Sequence, residues 1–198
     1  MLGACLLALV ASAPRAAALE VILVRHADKD TQRGDYNLSP AGFRRAINLA
    51  RLIPACFGPP AGITTYLLDP LTSKNARSYQ SAVPLAVATG APIRIATHSA
   101  EASEQIGRQL RSEHEQSSER LVLFWEHRRM PELARGLGWP AMAPIAEDDF
   151  DPFYVFRYRP LSPSPEVRTY RQSQLFQLPC FRNATLPWDS LPSSPSAR

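Results

Sequence analysis

The sequence is poor in the residues and short motifs that mark several common classes of protein. Only three of its 198 residues are cysteines, which excludes a small domain stabilised mainly by disulfides. It contains neither a G-x-x-x-x-G-K-[ST] phosphate-binding loop nor the G-x-S-x-G turn of serine hydrolases. It also lacks H-x-x-x-H and C-x-x-C pairs, so a zinc site has little support. Candidate catalytic residues must therefore belong to motifs that are spread along the chain.

Charge is also scarce. Charged residues make up 20% of the chain, and the formal net charge is +4. This small surplus suits an anionic ligand but does not indicate nucleic-acid binding, which needs clustered basic residues. With 45% hydrophobic residues, the chain is predicted to be globular and long enough for one domain with a hydrophobic core. We expect a small anionic partner and no nucleic acid.

The first 18 residues differ in composition from the rest of the chain. Residues 2–13 form an apolar run of 12 residues, which is too short to span a bilayer. The small residues Ala16, Ala17 and Ala18 then supply a typical signal-peptide cleavage site. We interpret residues 1–18 as a secretory signal peptide, so the protein would be exported without stable membrane insertion. The alternative is a hydrophobic N-terminal extension, because no basic residue precedes the apolar run.

Export bears on the two cysteines that would remain after cleavage. Cys56 and Cys180 could form a disulfide in an oxidising compartment. Two buried free thiols are the alternative, and the sequence does not decide between them.

The rest of the chain alternates between predicted strands and helices. We predict strands at 20–25, 63–68, 92–96 and 120–125, helices at 40–53, 76–87, 102–115 and 131–137, and a terminal strand pair at 153–158 and 167–176. This alternation predicts an α/β three-layer sandwich over residues 19–182, with a mostly parallel central sheet, helices on both faces and a C-terminal antiparallel strand pair. Residues 183–198 hold three prolines and four serines, which predicts a flexible tail.

Ionisable side chains follow the predicted strands. Arg25 and His26 follow the first strand, Glu126 and His127 follow the fourth, and Arg77 lies in the first turn of the helix after the second. Because the carboxyl ends of parallel strands meet at one edge of a sheet, we expect these side chains to converge. A neutral imidazole is a competent nucleophile toward phosphorus, and two guanidinium groups can bind phosphate oxygens. A carboxyl group can protonate the leaving oxygen.

Four segments, in this order, resemble motifs of the histidine phosphatase superfamily, also called the phosphoglycerate-mutase-like fold. They are VILVRHADKD (21–30), NLSPAGFRRAINLA (37–50), TSKNARSYQSAVPLA (72–86) and LVLFWEHRRMPELARGLG (121–138). In that family an Arg-His pair ends the first strand and the histidine becomes phosphorylated. The resemblance is to small members of its first branch and implies a phosphomonoester hydrolase without a metal or organic cofactor.

The resemblance also implies a role for each site residue. His26 matches the nucleophile, Arg25 and Arg77 match the arginines that bind the phosphoryl group, and His127 matches a second histidine of the pocket. The general acid stays open because the chain departs from the family pattern on both sides of this site. The family's Arg-His-Gly-Glu is Arg-His-Ala-Asp here, and the glycine that often precedes the last histidine is Glu126.

Two sets of alternatives follow from these departures. For the acid, Glu126 is the first candidate and Glu101 the second, with Asp28 as a further possibility. For the function, the alternatives are a non-catalytic phosphate-binding member of the same fold and a protein phosphohistidine phosphatase.

Overall fold

The structure is a computed structural model that describes residues 18–30, 32, 34–96, 102–159, 162 and 164–190. The predicted signal peptide lies outside the described residues except for Ala18. The strands are β1 (Glu20–Arg25), β2 (Gly62–Thr65), β3 (Ile93–Ile95), β4 (Arg120–Trp125), β5 (Pro152–Arg157) and β6 (Glu166–Arg171). The α-helices are α1 (Pro40–Leu52), α2 (Ala76–Thr89), α3 (Ser103–His114), α4 (Met130–Gly136), α5 (Gln172–Leu175) and α6 (Pro179–Arg182).

The strands form one six-stranded sheet in the order β3-β2-β4-β1-β5-β6. β1 pairs in parallel with β4, and β2 pairs in parallel with both β4 and β3. β5 runs antiparallel to β1, and β6 antiparallel to β5. The predicted parallel sheet with a C-terminal antiparallel strand pair is therefore confirmed.

Alternation along β1 explains why helices cover both faces of the sheet. Val21 and Leu23 point into a core that includes residues of α3 and α4. Ile22 and Val24 point into a second core that includes residues of α1 and α2. All six β1 residues are buried, as expected for a central strand covered on both faces. The result is the three-layer sandwich that the sequence predicts.

Most element boundaries differ from the prediction by one or two residues, and three of the differences lie at α1, β2 and the last strand. α1 ends at Leu52 and continues as a π-helical turn, Ile53–Phe57, because Pro54 has no N–H for the α-helical bond. β2 ends at Thr65 rather than at residue 68. The last strand ends at Arg171, where the Gln172 side chain donates hydrogen bonds to the carbonyls of Phe150 and Pro152 and α5 begins.

The C-terminal segment is tied to the domain in two ways. A disulfide joins Cys56 in the π-helical turn to Cys180 in α6, so the structure pairs the two cysteines that the sequence left open. Beyond α6, Leu186 is 3% exposed, and Asp189 lies 3.1 Å from the Arg51 guanidinium. The first part of the predicted tail is thus packed, and residues 191–198 lie outside the described residues. None of the helices in the described part of the chain is long and apolar enough to cross a bilayer.

Candidate active site

The predicted site residues meet at one cavity of about 200 Å³. It lies at the carboxyl ends of β1 and β4, beside the first turn of α2. The five residues predicted from the sequence all line it: Arg25, His26, Arg77, Glu126 and His127. The cavity is also lined by residues that the sequence analysis did not single out: Lys29, Tyr36, Lys74, Asn75, Ser78 and Glu147.

His26 immediately follows β1 and is 6% exposed. Its Nδ1 lies 2.9 Å from the carbonyl oxygen of Ala27, an acceptor that requires a proton on Nδ1. The pKa of His26 is lowered to about 3, mainly by burial; the nearby Arg25, Arg77 and His127 act in the same direction, and the Ala27 hydrogen bond opposes them. At neutral pH the ring is therefore uncharged, and the lone pair is on Nε2.

Arg25 ends β1 and is 1% exposed. Its guanidinium donates to the carbonyls of Ala146 (3.0 Å), Asp149 (2.9 Å) and Glu147 (2.7 Å). It also stacks on Phe150, 3.8 Å from the ring centre. Burial lowers the pKa of Arg25 to about 10, so the group stays charged at neutral pH. Arg25 thus supplies a buried positive charge and also fastens the loop of residues 146–149 to the cavity.

Arg77 reaches the cavity from α2. Its Nη1 donates to the carbonyl of Asp35 at 3.1 Å, and burial lowers its pKa. The Ser81 hydroxyl donates to the Arg77 carbonyl at 2.7 Å and accepts the Ala27 N–H at 2.9 Å. These two bonds fix the start of α2 against the residue that follows His26. The Nε atoms of Arg25 and Arg77 are both buried and have no hydrogen-bond partner among the described residues.

Glu126 and His127 follow β4, where the chain turns into a short 3₁₀ helix, residues 127–129. Glu126 caps that helix: one carboxylate oxygen accepts the Arg128 N–H at 3.0 Å, and the other accepts Arg128 Nε at 2.9 Å. His127 Nδ1 lies 2.9 Å from the same carboxylate but outside hydrogen-bond geometry. Burial and the charge of Arg25 lower the pKa of His127, which favours a neutral second imidazole in the cavity.

The other candidate acids lie in different surroundings. The carboxylate of Asp28 accepts Arg45 Nε at 2.6 Å, and Asp28 is not among the residues that line the cavity. Glu101 lies outside the described residues. Glu147 does line the cavity, but its ion pair with Lys29 lowers its pKa, which keeps it a carboxylate at neutral pH.

The cavity is positively charged. Both histidines are neutral for the reasons above. The lining includes two carboxylates, Glu126 and Glu147, and five cationic side chains: Arg25, Lys29, Lys74, Arg77 and Arg128. This surplus suits a dianionic phosphoryl group. Within the described residues, no group of three or more His, Cys, Asp or Glu side chains is placed to hold a metal ion.

The sequence points to some of the additional lining residues but not to others. Four of them lie inside the segments that resemble family motifs: Lys29, Lys74, Asn75 and Ser78. Once those segments are recognised, these residues are expected to lie near the site. Glu147 lies in a loop without hydrophobic periodicity, and no pattern marks it. The Arg25 hydrogen bonds to that loop and the ion pair of Glu147 with Lys29 hold it at the cavity.

No protein-family model matches the chain, and a comparison with curated proteins gives no match. Solved structures do share the fold. The protein histidine phosphatase SixA in complex with tungstate superposes with a TM-score of 0.55 at 12% identity, covering 79% of this chain and 99% of that one. The mycobacterial glucosyl-3-phosphoglycerate phosphatase superposes with a TM-score of 0.51 at 16% identity, covering 77% and 97%. The chain therefore has the fold of the histidine phosphatase superfamily, as the sequence motifs predict.

Proposed function

We propose that this protein is a phosphomonoester hydrolase that acts through a phosphohistidine intermediate on His26. The observation that carries the proposal is the state of His26: a buried, neutral imidazole whose Nδ1 is bound to the Ala27 carbonyl. This tautomer leaves Nε2 as the nucleophile. The ring lies beside Arg25 and Arg77 in a positively charged cavity, where a phosphoryl group would be bound.

The reaction then has two displacements at phosphorus. In the first, His26 Nε2 attacks, the ester P–O bond breaks, and the leaving oxygen takes a proton. In the second, a water oxygen attacks phosphorus and passes a proton to the carboxylate that protonated the leaving oxygen. The P–N bond breaks, and inorganic phosphate forms while Nε2 regains its lone pair. Arg25, Arg77 and His127 bind the phosphoryl oxygens in both steps, where preorganised donors stabilise the charge of the transition state.

Glu126 remains the first candidate for the proton donor, and Glu101 the second. Glu126 is a buried carboxyl group of the cavity, 8% exposed. To protonate a leaving oxygen it must release the bond from Arg128 Nε, which is feasible because the Arg128 side chain is 78% exposed. The cavity of about 200 Å³ suits a phosphoryl group on a small leaving group, so the proposed partner is a small phosphorylated molecule.

The test is hydrolysis of a generic aryl phosphate by residues 19–198, measured from about pH 4 to 8 for the wild type and His26→Ala. Turnover that disappears in the variant supports the proposal. If a folded wild type binds phosphate but shows no turnover at any pH, the protein is instead a phosphate-binding member of the fold. Activity restricted to a phosphohistidine-containing protein would favour the protein phosphohistidine phosphatase.

We also propose that the protein is exported. The Cys56–Cys180 disulfide supports this localisation, since disulfides persist in oxidising compartments. N-terminal sequencing of the protein recovered from its natural compartment tests it. A mature chain that begins near Leu19 agrees with export, whereas an intact N-terminus in the cytoplasm contradicts it.

A further inference from the structure

Three hydroxyl side chains of α2 have different surroundings. The Ser81 hydroxyl donates to the Arg77 carbonyl, four residues earlier, at 2.7 Å. Thr89 makes the same kind of bond to the Leu85 carbonyl at 2.8 Å. Ser78 makes no such bond: its Oγ is buried and has no hydrogen-bond partner among the described residues. Since a helical serine normally bonds to the carbonyl four residues earlier or to solvent, Ser78 calls for an explanation.

The loop before α2 explains why the usual bond is missing. The carbonyl four residues before Ser78 belongs to Lys74, which precedes the helix and accepts the Asp69 N–H at 3.1 Å. Asn75, the residue that caps the helix, has a left-handed backbone conformation with φ 67°, so the chain does not follow a helical path at this point. Bulk solvent does not supply a partner either, because only 1% of Ser78 is exposed.

In the same loop, the Asn75 side chain lines the cavity instead of capping the helix. Asparagine at a cap position usually accepts a backbone N–H of the first helical turn, yet the Asn75 side chain makes no capping bond and lines the cavity. The loop is held by Asp69, whose carboxylate accepts the Leu71 N–H at 2.9 Å and the Thr72 hydroxyl at 2.6 Å. A non-glycine residue in a left-handed conformation costs free energy and is often found at functional sites.

Ser78 lies at a position in the cavity that suits an anion. It is in the first turn of α2, next to Arg77, and lines the same cavity as His26. Backbone N–H groups and the helix dipole make a helix N-terminus favourable for phosphate. A buried polar atom without a partner is costly for the fold, and a ligand oxygen in the cavity would supply the missing partner of this hydroxyl.

We propose that Ser78 binds the substrate, with its hydroxyl donating a hydrogen bond to a non-bridging oxygen of the phosphoryl group. Ser78 then joins Arg25, Arg77 and His127 as a direct ligand of that group. This inference rests on the proposed function, because it assigns a further residue to the same site.

The test compares Ser78→Ala with Thr89→Ala, a matched loss of a hydroxyl at the other end of the same helix. The readouts are kcat/KM for an aryl phosphate, the affinity for inorganic phosphate and the Tm. We expect Ser78→Ala to lower kcat/KM by about 10- to 100-fold and to weaken phosphate binding. Its Tm should be unchanged or higher, because an unpartnered buried hydroxyl is removed. Thr89→Ala should leave kcat/KM and phosphate affinity unchanged.

Each other outcome has a defined meaning. Unchanged kcat/KM and phosphate affinity in Ser78→Ala overturn the Ser78 assignment and leave the proposed function intact. A lower Tm overturns it too, since the hydroxyl would then have a partner within the fold. If the wild type binds phosphate without turnover, the proposed function fails, and phosphate affinity still tests Ser78. A wild type that neither binds phosphate nor hydrolyses the ester overturns both proposals.

Discussion

The Nδ1 nitrogen of His26 lies 2.9 Å from the carbonyl oxygen of Ala27, the next residue in the chain. The bond fixes the imidazole tautomer by a backbone group that no substitution removes. Because the ring is also buried beside two arginines, His26 combines a fixed orientation with a neutral charge. These are the two properties that a histidine nucleophile needs at neutral pH.

The first prediction concerns stability as a function of pH. Burial lowers the pKa of native His26 from 6.5 to about 3, so the unfolded chain takes up this proton at a higher pH than the native protein does. His26 therefore contributes stability above pH 6.5 that is lost as the pH falls toward 3. Between pH 7 and 5 we expect His26 to account for a loss of about 2 kcal/mol.

Denaturant unfolding of the wild type and His26→Gln at these two pH values measures this contribution. The variant should lose about 2 kcal/mol less than the wild type over this interval. The other histidines contribute equally to both proteins, so their effect on stability cancels in the comparison. This includes His127, whose pKa is also lowered. Equal losses in the two proteins would contradict a neutral, buried His26.

The second prediction concerns the different contributions of the two cavity arginines to stability. Arg25 donates to three loop carbonyls, whereas among the described residues the Arg77 side chain donates to one carbonyl, that of Asp35. We expect Arg25→Met to lower the free energy of unfolding by about 2–3 kcal/mol and to expose residues 146–149 to proteases. Arg77→Met should cost about 1 kcal/mol or less.

Both variants should lose about 100-fold or more in kcat/KM, because each removes a positive charge from the phosphoryl site. Denaturant unfolding, limited proteolysis and steady-state kinetics check these expectations. Equal stability losses in the two variants would show that the loop does not depend on Arg25.

The third prediction concerns Glu126 as the proton donor. Glutamine retains an oxygen that can cap the 3₁₀ helix after β4 but cannot supply the proton. We therefore expect Glu126→Gln to lower kcat/KM by about 100-fold for an alkyl phosphate, whose leaving group needs a proton, and only slightly for an activated aryl phosphate. Equal losses on the two substrates would instead assign Glu126 to holding Arg128 and His127.

The fourth prediction concerns the disulfide. Cys56 and Cys180 are separated by 124 residues, and a cross-link across so long a loop stabilises the fold by about 5 kcal/mol in the chain-entropy model. Reduction, or the double substitution of Cys56 and Cys180 by serine, should lower the free energy of unfolding by an amount of this order. Unfolding with and without reductant measures it. An unchanged midpoint would show that the two thiols are not bonded in the purified protein.

Much of the fold was predictable because its signals are local. The runs 20–25 and 120–125 are mostly apolar, with Glu20, Arg25 and Arg120 at their ends, and both strands have the predicted limits. The convergence of Arg25, His26, Arg77, Glu126 and His127 followed from the geometry of parallel strands. Boundaries that depend on tertiary contacts were harder: the last strand ends where the Gln172 side chain finds its carbonyl partners.

The parts of the site that escaped prediction depend on contacts between distant segments. That Arg25 holds residues 146–149 could not be inferred, because those residues lie more than 120 positions away and carry no periodic pattern. Nor does any pattern show that Ser78 lacks the bond that Ser81 makes, since this depends on the path of the loop before α2. The cysteine pairing likewise needed the position of α6 beside the π-helical turn.

The most direct test of the account is detection of the phosphoenzyme. The wild type is mixed with an aryl phosphate, quenched under alkaline denaturing conditions that preserve phosphohistidine, and digested for mass spectrometry. The account predicts one phosphoryl group, on the peptide that contains His26, and none in His26→Ala. Turnover by the wild type with no phosphorylated His26, or with the phosphoryl group on His127, would contradict it.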